Sequence, residues 1–266
     1  GLWRSDNHGD TWYFINDGLI SLHVACLAIA PSNSEVVYLG TKAGILRSYN
    51  AGEDWHYLLS TKDRIVFERP DNYRSIAIDL RDPKRLFAGA KSGGVFFSDD
   101  AGSSWQPLGD KIYPFRKNIP ITALYLTRDG KKLFAASEKG LRQYDFGKNK
   151  WVKFKTSFKK VRDMLSCGSA QVIYIAVGNK VAYSSDFGKS WQLTPAIPQG
   201  EITRLDLKEN SSGNIEILAG WKNGWDGGVF FSPDNGKNWV DLETNLKYDE
   251  VSTPTRAWSQ NFGWAN

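Results

Sequence analysis

The chain is poor in the residues that carry redox, metal and membrane work. Its 266 residues include two cysteines, one methionine and three histidines. The histidines, His8, His23 and His56, lack ligand spacing, so no metal centre is expected. No glycine-rich phosphate loop leads into a helix, and no cofactor is expected. No run of eighteen apolar residues occurs, so no transmembrane helix is expected either. The net charge of +5 permits an anionic partner without requiring one. No helix or basic stripe of the usual nucleic-acid modules is present, which argues against nucleic acid.

What the chain does have is tryptophan, eleven in all, and much of it is periodic. The pattern Ser-x-Asp/Asn-x-Gly-x-x-Trp ends at Trp12, Trp55, Trp105, Trp191 and Trp239, with a degenerate copy ending at Trp151. A period of about 40–50 residues is that of propeller blades, each a four-stranded sheet. Short runs of β-branched and aromatic residues between Gly, Asn, Asp and Pro clusters read as strands and turns. In the second unit the spacing predicts strands over His23–Ala30, Glu35–Gly40, Ile45–Tyr49 and Trp55–Leu59.

The expected fold is therefore an all-β propeller of four-stranded antiparallel blades, six or seven in the intact protein, forming a single domain over 1–266. Residues 1–15 read as half a blade, because Gly1-Leu-Trp-Arg-Ser5 matches Gly44-Ile-Leu-Arg-Ser48 with no earlier strands. Five blades follow at about 20–60, 74–108, 119–154, 160–193 and 200–242, then a tail over 243–266 without an evident strand pair. With no initiator Met and no signal peptide in view, a fragment or incomplete ring is expected. Cys26 and Cys167 fall on first strands of non-adjacent blades, too far apart for the roughly 7 Å that a disulfide allows, and read as buried thiols.

The motif's own chemistry is local. Asn7, Asn50, Asp100, Asp145, Asp186 and Asp234 are side chains that accept bonds from backbone N–H groups of their turns, and the Gly supplies a positive φ. They are read as structural. The fourth copy lacks the Ser and has one extra residue before Trp151, which predicts a distorted turn. Other loops carry the candidate binding residues: Arg69 and Arg74, Arg116, Trp221 and Trp225 within Gly220–Gly228, and Trp258 in the tail. Exposed Trp beside Arg, Asn and Asp suits sugar rings, since the indole stacks on C–H groups while polar atoms take hydroxyls. Packing of these tryptophans inside the protein is the competing reading.

The motif resembles the Asp-box, or bacterial neuraminidase repeat. It is similar to those of sialidases, xyloglucanase-type glycoside hydrolases, sortilin-type receptors and the propeller assembly factor of photosystem II. The resemblance implies that a site sits on the face opposite the boxes, where the turns between second and third strands meet the inter-blade loops. The sialidase Arg-Ile-Pro motif is missing before the first box, and Phe115-Arg-Lys-Asn-Ile-Pro120 lies in a later loop. Xyloglucanase-type enzymes carry an Asp in the turn between strands two and three. Here that turn holds Lys42 and Lys91 in two blades, and Glu138 preserves a carboxylate in a third. Glu138 and Asp226 are the weak catalytic candidates, since glycoside hydrolysis needs two carboxylates at roughly 5–10 Å.

Two functions follow as expectations. The first is a carbohydrate-recognising Asp-box propeller related to glycoside hydrolases, extracellular or periplasmic by resemblance, binding a polysaccharide or glycan. The second is a non-catalytic scaffold that docks a protein partner on its basic loop face.

Overall fold

The computed structural model describes residues 1–7, 9–60, 73–91, 93–109, 119–154, 157–167, 172–224 and 226–242. Their strands form one two-stranded hairpin and five four-stranded antiparallel sheets, the blades of an all-β propeller. They fall into two compact units, Gly1–Phe154 and Lys155–Asn266.

The first unit opens with a hairpin of β1 (Trp3–Arg4) and β2 (Tyr13–Phe14). Blade 1 is β3 (Val24–Ala30), β4 (Asn33–Thr41), β5 (Gly44–Ser48) and β6 (His56–Ser60). Blade 2 is β7 (Tyr73–Ile78), β8 (Leu86–Ala90), β9 (Val95–Ser98) and β10 (Gln106–Pro107). Blade 3 is β11 (Ile121–Leu126), β12 (Leu133–Ser137), β13 (Gly140–Asp145) and β14 (Lys150–Lys153). In the second unit, blade 4 is β15 (Val161–Cys167), β16 (Val172–Val177), β17 (Lys180–Ser184) and β18 (Gln192–Leu193). Blade 5 is β19 (Glu201–Glu209), β20 (Ile215–Asn223), β21 (Asp226–Ser232) and β22 (Val240–Asp241). Within each blade strands pair only with their sequence neighbours.

The blade count among the described residues is five, against an expected six or seven. The first motif copy joins β1 to β2, which pair as third and fourth strands do, with no first and second strands beside them among the described residues.

Second strands are central in their sheets and are apolar on both faces: all five residues of β8 and of β12 are buried. Fourth strands lie at the outer edge, and both residues of β10 and of β18 are exposed. Close packing fixes the glycine of Leu86-Phe-Ala-Gly89. A Cβ there would lie 2.5 Å from Ser75 Oγ and 2.6 Å from Ile121 Cγ2, on the first strands of its own and the next blade. Each first strand also carries a bulge near its start, between Val24 and Cys26, Tyr73 and Ser75, Ile121 and Ala123, Val161 and Met164, and Ile202 and Arg204. A bulge turns the strand and re-aims side chains at that end.

Candidate recognition face

Each blade has two sets of tight turns at opposite ends of its strands. At one end lie the motif turns. In the turn after β5, the buried Ser48 Oγ accepts the N–H of Gly52 at 2.8 Å and donates to Asn50 Oδ1 at 2.8 Å. Asn50 Oδ1 in turn accepts the N–H of Asp54 at 2.9 Å. The same bonds recur around Ser98 and Asp100, Ser184 and Asp186, and Ser232 and Asp234, and in the first copy around Ser5 and Asn7. Burial opposes ionisation of Asp100, yet bonds from Ser104 and Ser98 hold its carboxyl down at about 2. The Ser190 hydroxyl and N–H hold Asp186 well below the ordinary carboxylate range. These carboxylates are engaged in building turns.

Two details of the turns go beyond the sequence reading. The residue before the Gly is also left-handed, with φ of 54° at Ala51, 58° at Ala101, 58° at Phe187 and 62° at Asn235. Its N–H reaches the start of the second strand: Ala51 to Glu35 O, Ala101 to Lys84 O and Asn235 to Ile215 O. In the fourth copy Tyr144 replaces the Ser and bonds Asn149, and the left-handed residue is Asn149 with φ of 51°. Asp145 still accepts the N–H of Lys148 at 3.1 Å.

At the other end lie the turns between second and third strands. Thr41 and Ser137 close two of them alike: each buried hydroxyl donates to a Gly carbonyl, Gly44 or Gly140, and accepts the N–H of Ala43 or Lys139. That leaves Lys42, Lys91, Glu138 and Lys139 exposed at the tips in the first unit. These tips carry three cations and one carboxylate, and the first unit offers no second tip carboxylate among its described residues.

Glu138 belongs to the first unit, and Asp226, exposed at the start of β21, to the second. Trp221 departs from expectation. The stretch read as a loop over Gly220–Gly228 is largely strand: β20 runs to Asn223, β21 starts at Asp226, and Trp221 pairs with Gly228. Its indole is 6% exposed, packed with Ile197, Ile202 and Phe230, and is core rather than a platform for a sugar. Arg74 is the bulge residue of β7. Trp225, Arg69, Arg116 and Trp258 lie outside the described residues.

The sequence reading missed a polar cluster in the second unit. Asp163, buried on β15, accepts the N–H of Met164 at 2.9 Å and of Leu205 at 2.8 Å, tying blade 4 to blade 5. Burial raises its pKa, and the Arg204 charge opposes this. Arg162 pairs with Glu201 at 3.2 Å. The signal was present as the adjacent charges Arg162-Asp163 near the start of a strand, a pairing that no other first strand carries there.

Among the described residues no group of three His, Cys, Asp or Glu could hold a metal ion, and no helix is long and apolar enough to cross a membrane.

No protein-family model matches the chain, and no curated protein matches it by sequence. Solved structures do share its fold. A GH74 xyloglucanase from Xanthomonas campestris aligns with 90% of this chain and 42% of its own, at 16% identity and a TM-score of 0.64. The extracellular domain of a hybrid two-component system from B. thetaiotaomicron aligns over 91% and 30%, at 18% identity and 0.63. YCF48 bound to D1 peptide aligns over 82% and 68%, at 12% identity and 0.58. The chain thus spans less than half the length of the enzyme. The propeller fold is common to a glycoside hydrolase, the extracellular domain of a two-component system and a peptide-bound protein.

Proposed function

We propose that the chain is a non-catalytic recognition propeller, related in fold to the GH74 glycoside hydrolases, that docks an acidic protein partner on the turns between its second and third strands. The observation that carries this reading is the trio Lys42, Lys91 and Lys139, exposed at equivalent turns of three successive blades. Fixed cations on a rigid face steer and orient an anionic partner. The burial of Trp221 removes one described aromatic from the case for a sugar platform. A likeness to YCF48 bound to D1 peptide is in keeping with protein recognition on this fold.

Carbohydrate recognition is the second reading, favoured by the fold shared with a xyloglucanase. An extracytoplasmic location accords with both, through the likeness to the extracellular domain of a two-component system.

One titration separates them. Poly-L-glutamate and neutral xyloglucan are added to the native chain, to K42E/K91E/K139E, and to K84E/K131E/K148E, which makes the same charge change at the opposite turns. The expected result is polyglutamate binding weakened at least about tenfold by the first triple and much less by the second. Xyloglucan binding that neither triple alters, with equal effects of both on polyglutamate, would sink the proposal in favour of the second reading.

A further inference from the structure

One position breaks the blade pattern. In blades 1, 2, 4 and 5 the third strand carries Leu46, Phe96, Ala182 and Phe230 at equivalent places, aligned by their pairing with Leu39, Ala88, Ile175 and Ala219. Leu46, Ala182 and Phe230 are buried. Opposite them on the fourth strands stand Tyr57, Pro107, Leu193 and Asp241. Blade 3 instead sets Arg142 opposite Lys153. In the other four blades neither position holds a cation.

Directly opposite residues share a face, with Cβ atoms about 4.5–5.5 Å apart, and like charges so placed repel. The pair is seated on a fixed floor. Tyr144 and Trp151 oppose each other next along the same face, with ring centroids 5.1 Å apart, and the Trp151 indole donates to Leu108 O at 3.0 Å. Arg142 is half-buried and Lys153 is exposed. Lys139 stands exposed at the adjoining turn, so all three cations lie toward the recognition end of one blade. Residues 121–154 hold eight Lys or Arg against three carboxylates, so the blade does not balance its own charge. Two of those carboxylates serve elsewhere: Thr127 Oγ1 donates to Asp129 at 2.6 Å, and Lys148 pairs with Asp145 at 3.4 Å.

We propose that Arg142 and Lys153, with Lys139 beside them, receive a phosphate monoester carried by the acidic protein partner. The inference rests on the acidic-partner reading and names the group that anchors it. Charge matching selects phosphate, because a phosphorylated side chain brings close to two negative charges near neutral pH, where a carboxylate brings one. Shape agrees. The guanidinium of Arg142 offers a planar fork of N–H donors to two phosphate oxygens, and the Lys153 ammonium adds a point charge from the facing strand. Two like charges repel in the free blade, and a bound dianion turns that repulsion into attraction.

The test titrates two synthetic glutamate-rich peptides, identical except for a central serine or phosphoserine, against the native chain, R142Q/K153Q and K42Q/K91Q. The native chain is expected to bind the phosphopeptide at least about tenfold more tightly than the serine peptide, and R142Q/K153Q to lose that preference. K42Q/K91Q is expected to weaken both peptides alike and to keep the preference. The melting temperature of R142Q/K153Q is expected to equal or exceed that of the native chain, since a repulsion is relieved. Equal binding of the two peptides to the native chain overturns the proposal; if K42Q/K91Q still weakens both, the acidic-partner reading stands without it. A preference that survives in R142Q/K153Q also overturns it. So does a clear fall in melting temperature for that variant, which means that the chain itself already engages the pair. Binding of neither peptide overturns the proposal and the reading beneath it together. Inorganic phosphate that displaces the phosphopeptide at equal concentration overturns it in favour of free phosphate as the ligand.

Discussion

The two ends of the blades put their charged side chains to opposite purposes. At the motif end, Asp100, Asp186 and Asp234 turn inward on backbone N–H groups a few residues away. At the other end, Lys42, Lys91, Glu138 and Lys139 stand exposed, while the Thr41 and Ser137 hydroxyls close two of the turns and backbone bonds the third. A recurring carboxylate is therefore a poor guide to chemistry on this fold, and the residues that vary from blade to blade are the better one. Substitutions at the motif end should cost stability, and those at the other end should cost binding alone.

The largest effect is expected at Gly236. Its φ is +80°, and a Cβ would lie 2.5 Å from Cγ2 of the buried Thr194, whose hydroxyl is engaged by Val181 N–H. Left-handed strain and overpacking together should make Gly236→Ala cost about 2–4 kcal/mol, read as a lowered urea midpoint. Ser184→Ala comes next. It removes the acceptor of the buried Gly188 N–H, bonded at 2.7 Å, and should cost about 1–3 kcal/mol. If Ser184→Ala were silent, the turn would be held by its glycine alone and the contrast between the two ends would weaken.

The blade plan was legible because its causes are local. A repeated turn signal, a Gly at a left-handed position and alternating apolar runs placed strands within a residue or two, as at Glu35–Gly40 against the observed Asn33–Thr41. Trp221 was misread because its fate depends on how far β20 extends. That length is set by pairing with Gly228 and packing on Phe230, neither of which a Gly-rich stretch announces. Asp163 escaped for the converse reason. Its partner, the N–H of Leu205, lies 42 residues away, and no side-chain pattern encodes a backbone donor.

A smaller effect tests the charge of the motif carboxylates. Asp100 is held at about 2, and Asp186 and Asp234 are also lowered from 3.8. A carboxylate whose folded pKa is depressed contributes stability that is fully present above its unfolded value and is lost as pH falls through the folded one. Acid should therefore destabilise the native chain between about pH 4 and pH 2 more than it does D100N/D186N/D234N. Near neutral pH that variant should fold normally, because Asn50 already fills the same position with one accepting oxygen. Equal acid sensitivity of the two proteins would show that other carboxylates dominate acid unfolding.

The smallest stability change is expected where the proposed function lies. Lys42, Lys91 and Lys139 are exposed, and the turns beneath them are closed by Thr41, Ser137 and backbone bonds that do not involve the ammonium groups. K42Q/K91Q/K139Q should thus shift unfolding free energy by no more than about 0.5 kcal/mol per site, by urea titration. Polyglutamate affinity, by contrast, should fall and its dependence on salt should flatten, since each neutralised lysine removes one screened attraction. A large stability loss would mean that these lysines hold the turns together, and the division between a building end and a binding end would not survive it.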